Sequence, residues 1–226
     1  MIIHYHYICN KYIINMTNNF DKIRKYVAEL GIPEKYDTKC DLYFDIQLIR
    51  RGKDHPSLPS ANYTFKTYYI DCLENYDRYK DEIIKCCEMF GLRAYVAVNV
   101  KSKYESCLKT ILKYADNLSN GESRKPWRVF ASICGGLDGK EKRWVVDCDD
   151  CDDLDLYLSY VKAAIYNCES KYEDPIVTTI PTRSGYHIIT HPFNLKKFDE
   201  RCKKMRIIKP EIKKNHITLL YENIQK

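Results

Sequence analysis

Asp147 and Asp149 close the apolar run Arg143-Trp-Val-Val-Asp-Cys-Asp-Asp150, which reads as a strand ending in carboxylates. Alternate side chains of a strand share a face, so Asp147 and Asp149 project together while Val146, Cys148 and Asp150 point the other way. Two carboxylates a few Å apart repel unless a cation lies between them. Oxygen-only ligation of this kind suits Mg²⁺ or Mn²⁺, which take the rest of their shell from water and substrate phosphates. The same acidic run also serves as a solvated strand-to-helix turn, with Asp152 or Asp153 capping a helix that begins near Leu154.

A second element follows on the C-terminal side, Arg183-Ser-Gly-Tyr-His187 opening another apolar strand. Its chemistry suits a phosphate. Ser184 and His187 can donate hydrogen bonds to phosphate oxygens, Arg183 can neutralise their charge, and Gly185 lets the backbone come close. From Lys196 to Lys214 nine Lys or Arg stand against Asp199, Glu200 and Glu211. Such a stripe beside a metal site fits a polyanion, with nucleic acid the natural candidate. Arg128, Lys142, Arg143, Lys213 and Lys214 are the basic residues expected to face a template strand.

Composition narrows the classes. The 226 residues, 45% of them hydrophobic, suffice for one ordinary domain or two closely packed small lobes, roughly residues 20–120 and 125–226. No run approaches the length of a membrane span, and the N-terminal Met1-Ile-Ile-His-Tyr-His-Tyr-Ile-Cys9 segment lacks the features of a signal peptide. A cytoplasmic location follows, the host cytoplasm if the gene is viral. Eleven cysteines are an odd number in a chain that does not read as secreted, so reduced thiols are expected rather than a disulfide framework. Cys148-x-x-Cys151 and Cys86-Cys87 lack the second pair of a structural zinc site. His191, His4 and His6 receive no role.

These residues need elements to hold them. The pattern predicts a helix over 20–30 closed by Gly31, a strand within 42–46, a strand over 64–72, a helix over 75–90 stopped by Gly91, a strand over 93–98 and a helix over 103–118. A linker follows over 117–126. The second half reads as strands over 128–134 and 142–147 joined by the Gly135-Gly-Leu-Asp-Gly139 hairpin, then a helix over 154–167. Strands over 176–180 and 186–190, a helix over 195–205 and a closing strand over 217–221 complete it. The order ββαββαβ suits an antiparallel sheet backed by helices.

In these motifs and their order, from about Arg93 to Tyr221, the chain resembles the archaeo-eukaryotic primase (primase-polymerase) superfamily, in its divergent phage or mobile-element form. The resemblance implies an α+β fold: an N-terminal αβ unit packed on a C-terminal RRM/ferredoxin-like antiparallel sheet, with the active site between them. It implies metal ligation by Asp147 and Asp149, nucleotide phosphate binding by Arg183, Ser184, Gly185 and His187, and a third acid, for which Glu211 is the nearest candidate. Ala94-Tyr-Val-Ala-Val-Asn99 resembles the apolar strand ending in Asn of the family's N-terminal unit. Two departures stand out. Two residues separate Ser184 from His187 where the family commonly has one, and Glu211 is slightly displaced from the expected position.

The expected function is template-dependent nucleotidyl transfer in nucleic-acid replication. It would use two divalent metals, Mg²⁺ or Mn²⁺, with a DNA template, NTP or dNTP, and a separate helicase or replication protein as a possible partner. Asp147, Asp149 and His187 are the expected catalytic residues. A primase-fold protein that binds nucleic acid without catalysis, and a metal-dependent nuclease, are the alternatives.

Overall fold

A computed structural model describes residues 16–55, 62–149 and 153–223. His4, His6, Asp150, Cys151 and Asp152 lie outside the described residues. Among those described, the fold is α+β, with six helices and two antiparallel sheets.

The first sheet has the order β1-β10-β4-β2-β3, formed by β1 (Thr17–Asn18), β2 (Leu42–Arg51), β3 (Asn62–Ile70), β4 (Arg93–Ala97) and β10 (Ile217–Glu222). The short β5 (Lys101–Ser102) pairs with the start of β2. Phe44, Ile46 and Leu48 of β2, with Ala94 and Val96 of β4, alternate onto one buried face. There they meet Phe20, Ile23 and Val27 of α1 (Phe20–Glu29) and Leu73, Tyr76 and Ile83 of α2 (Leu73–Phe90). Each of the Val, Leu, Ile and Phe side chains among them, fully buried, contributes about 1.5–3 kcal/mol. Gly91 ends α2 in the left-handed region, φ 59°, where a residue with a Cβ is strained.

The second sheet has the order β7-β8-β6-β9, from β6 (Trp144–Asp149), β7 (Ile176–Pro181), β8 (Gly185–Thr190) and β9 (Glu211–Lys214). Val146, Cys148 and Ile188 face α5 (Leu154–Tyr166) and α6 (Leu195–Met205), where Val161, Ala164, Ile165 and Phe198 cover them. Val145, Ile180 and Ile189 turn the other way and join the core of the first sheet. The sheet is thus covered on one side by helices and on the other by the first core. Asp153 caps α5, its carboxylate accepting from Leu156 N–H at 3.1 Å.

Three expectations are corrected. Residues 128–134 are not a strand: α4 (Pro126–Gly136) is a helix packed against α3 (Lys103–Ser119), and the glycines at 135 and 136 end it rather than forming a hairpin. Pro126 occupies the first turn, where its fixed φ and missing N–H cost nothing. The closing strand over 217–221 does not belong to the second sheet; β10 lies between β1 and β4 in the first. The C-terminal order ββαββαβ is therefore replaced by β6-α5-β7-β8-α6-β9, with β9 an additional strand.

Two asparagines tie the sheets together. Asn19 is buried, and its amide donates to the carbonyls of Pro181, at the end of β7, and Leu219, in β10, both at 2.9 Å. Asn99, past the end of β4, accepts from Arg143 N–H at 2.8 Å just before β6.

Candidate functional site

Register brings the site together. In β6 and β8, Asp147 lies opposite His187 and Asp149 opposite Gly185; on the other flank of β6, Asp147 lies opposite Glu211. Directly opposed residues share a face. Gly185 is required by packing: a Cβ there would sit 1.9 Å from the Cys148 carbonyl oxygen and 2.8 Å from Asp149 Oδ1. The close approach of β8 to β6 is thus a packing reason for glycine at this position. Arg183 and Ser184 form the tip of the turn between β7 and β8, which Thr182 N–H closes by donating to the Gly185 carbonyl at 2.8 Å.

Asp147, Asp149, Arg183, Ser184 and His187 line one cleft of about 240 Å³. The opposite wall comes from the first sheet, with Arg51, Arg93, Tyr95 and Leu219. Asn62, Lys213, Thr182 and His216 also line it.

Asp147 is the electrostatic centre. Lys213 Nζ donates to its Oδ2 at 2.5 Å, and His187 Nε2 stands 3.4 Å from its Oδ1. Oδ1 itself is buried without a hydrogen-bond partner. Burial alone would raise this carboxyl; His187 and Lys213 outweigh it and hold Asp147 well below the usual carboxylate range. Burial likewise works against charge on Lys213, but Asp147 and Glu211 outweigh it and raise the ammonium. His187 Nδ1 is 2.9 Å from the buried Thr218 hydroxyl. A ring proton on Nε2 would face Asp147 and leave Nδ1 to accept from that hydroxyl.

Asp149 is exposed and accepts from Thr182 Oγ1 at 3.3 Å. Glu211, though in register, points its carboxylate to Lys213 at 3.2 Å and is 71% exposed. Among the described residues no group of three or more His, Cys, Asp or Glu is placed to hold a metal ion. The oxygen donors a hard cation would meet in the cleft are the carboxylates of Asp147, already engaged by His187 and Lys213, and of the exposed Asp149.

The arginines differ in how closely they are engaged. Arg93 is buried between Asp54, which accepts two hydrogen bonds at 2.7 and 2.8 Å, and Glu222 at 2.8 Å. Burial pushes the Glu222 carboxyl up, against the pull of Arg93. Arg183 approaches Asp54 only to 3.9 Å, and Arg51 makes no ion pair among the described residues. Two guanidinium groups, one from each sheet, thus face the cleft.

The residues expected to meet a template are dispersed. Lys213 points into the cleft. Lys142, Arg143 and Lys214 surround a smaller pocket near Asn99, where Arg143 is buried against Glu141 and Lys214 lies 5.1 Å from the Trp144 ring. Arg128 is exposed on α4, against Trp127. Arg93, Thr182 and His216 carry no expected role in the site, whereas Arg51 belongs to Arg50-Arg-Gly-Lys53, a smaller basic cluster visible in the sequence as a patch suited to a polyanion.

No protein-family model, no curated protein and no solved structure matches this chain. No described helix is long and apolar enough to cross a membrane.

Proposed function

We propose that the cleft binds a nucleoside triphosphate and carries out template-dependent nucleotidyl transfer, as the primase-like motifs imply. The observation that carries the reading is the convergence of Asp147, Asp149, Arg183, Ser184 and His187 on one cleft, opposite Arg51 from the other sheet. The order β6-α5-β7-β8-α6-β9 agrees with the ferredoxin-like unit of the resemblance. Arg183 and Arg51 orient the phosphates from two sides, and Ser184 donates a hydrogen bond at the rim. Asp147 and Asp149 would hold a Mg²⁺ or Mn²⁺ ion, which when bound screens the phosphate charge and acidifies an attacking hydroxyl. His187, steadied by Thr218, keeps Asp147 ionised and oriented.

A specific observation favours a second reading, a primase-fold protein that binds nucleic acid without catalysis. Lys213 already neutralises Asp147, and Glu211 is drawn outward to the same ammonium. Incorporation of labelled nucleotides on a primed and an unprimed DNA template, with Mg²⁺ or Mn²⁺, separates the two. Incorporation abolished by the double substitution Asp147→Ala and Asp149→Ala supports transfer. DNA binding with no incorporation by the wild type supports the binding protein.

A further inference from the structure

Helix α3 is built inside out. Its buried residues are polar, Ser106 and Asn117, and Ser106 Oγ lies 2.7 Å from the Tyr43 hydroxyl. Its apolar residues face outward: Tyr104 is 70% exposed, Leu108 41%, Ile111 65%, Leu112 61% and Leu118 52%. At the helical period these five fall in one stripe about 120° wide, opposite Ser106 and Asn117. An apolar stripe of this kind on a soluble helix calls for a cover, and none is present among the described residues.

We propose that a second copy of this chain covers it, with α3 packing antiparallel on its counterpart about a two-fold axis at Ile111. Ile111 is the midpoint of the helix, and Tyr104 and Leu118 lie seven residues to either side. A two-fold there lays Tyr104 of one copy on Leu118 of the other, as a self-complementary interface requires. The five side chains expose on the order of 500 Å² per copy, more than half of the ~800 Å² each partner contributes to a stable interface. The flanking charges are already neutralised within the helix, Glu105 by Lys109 at 2.6 Å and Asp116 by Lys113 at 2.8 Å. That leaves little charge for an acidic peptide or an anionic lipid surface to complement, and favours a neutral partner.

Sedimentation velocity of the full chain over a concentration series tests this, with Ile111→Glu as the disrupting variant and Ile208→Glu, at a 75% exposed site elsewhere, as the control. The expected result is a wild-type dimer weakened about 30-fold or more by Ile111→Glu and unchanged by Ile208→Glu, with both variants melting like the wild type. Ile111→Cys in a Cys107→Ser background should also cross-link across the axis on mild oxidation. A wild type that stays monomeric throughout overturns the proposal, as does a dimer indifferent to Ile111→Glu. A monomer that instead floats with phosphatidylserine vesicles assigns the stripe to a membrane surface and equally overturns it.

Discussion

Asp147 carries its charge in a place where burial opposes it, because Lys213 and His187 are on either side. Its carboxyl is lower in the folded chain than the ~3.9 of an unfolded Asp, so the stabilisation is fully present above that value, starts to fade as pH falls below it and is lost as pH falls through the lower folded value. Asp147→Ala is therefore expected to cost about 1–3 kcal/mol at neutral pH, with the difference from wild type shrinking below about pH 4, as urea melts at a series of pH values would show. Gly185 is the steric counterpart. Gly185→Ala forces a Cβ against the Cys148 carbonyl and should destabilise by about 3 kcal/mol or disrupt the β6 and β8 pairing. Unfolding that matches the wild type would show that β8 can shift without loss.

At the scale of elements, Asn19 joins β7 to β10 through one buried amide. Asn19→Ala leaves two carbonyls without this donor and should lower stability by about 2 kcal/mol in a denaturant titration. Much of the element order is legible in the sequence. Gly91 and Asp153 mark helix ends by their chemistry, and α6 matches its expected span of 195–205. The failures have physical causes. Val129-Phe-Ala-Ser-Ile133 is too short an apolar run for its period to decide between strand and helix, and Pro126 at the first turn was the available signal. Strand β9, Glu-Ile-Lys-Lys, carries too little apolar content to read as a strand at all. In the site, residues on β6 and at the turn before β8 were legible because strand alternation is local. Arg51 and Arg93 were not, because they come from another sheet, and no local rule says which sheets face each other.

For the whole molecule, the two guanidinium groups facing the cleft make a prediction about ionic strength. Inorganic triphosphate should bind with an affinity that falls as salt is raised, and Arg51→Ala and Arg183→Ala should each weaken it by about tenfold, measured by calorimetry. Equal binding by both variants would remove the cleft as the anion site. The path of the chain has a separate consequence. β1 hydrogen-bonds to β10, some two hundred residues further on, and β10 alone connects β1 to β4. During synthesis the first sheet must therefore wait with β4 exposing an unpaired edge until residue 222 has left the ribosome. The two halves cannot mature one after the other, and an arrested nascent chain ending before β10 presents an aggregation-prone edge that a chaperone would have to shield.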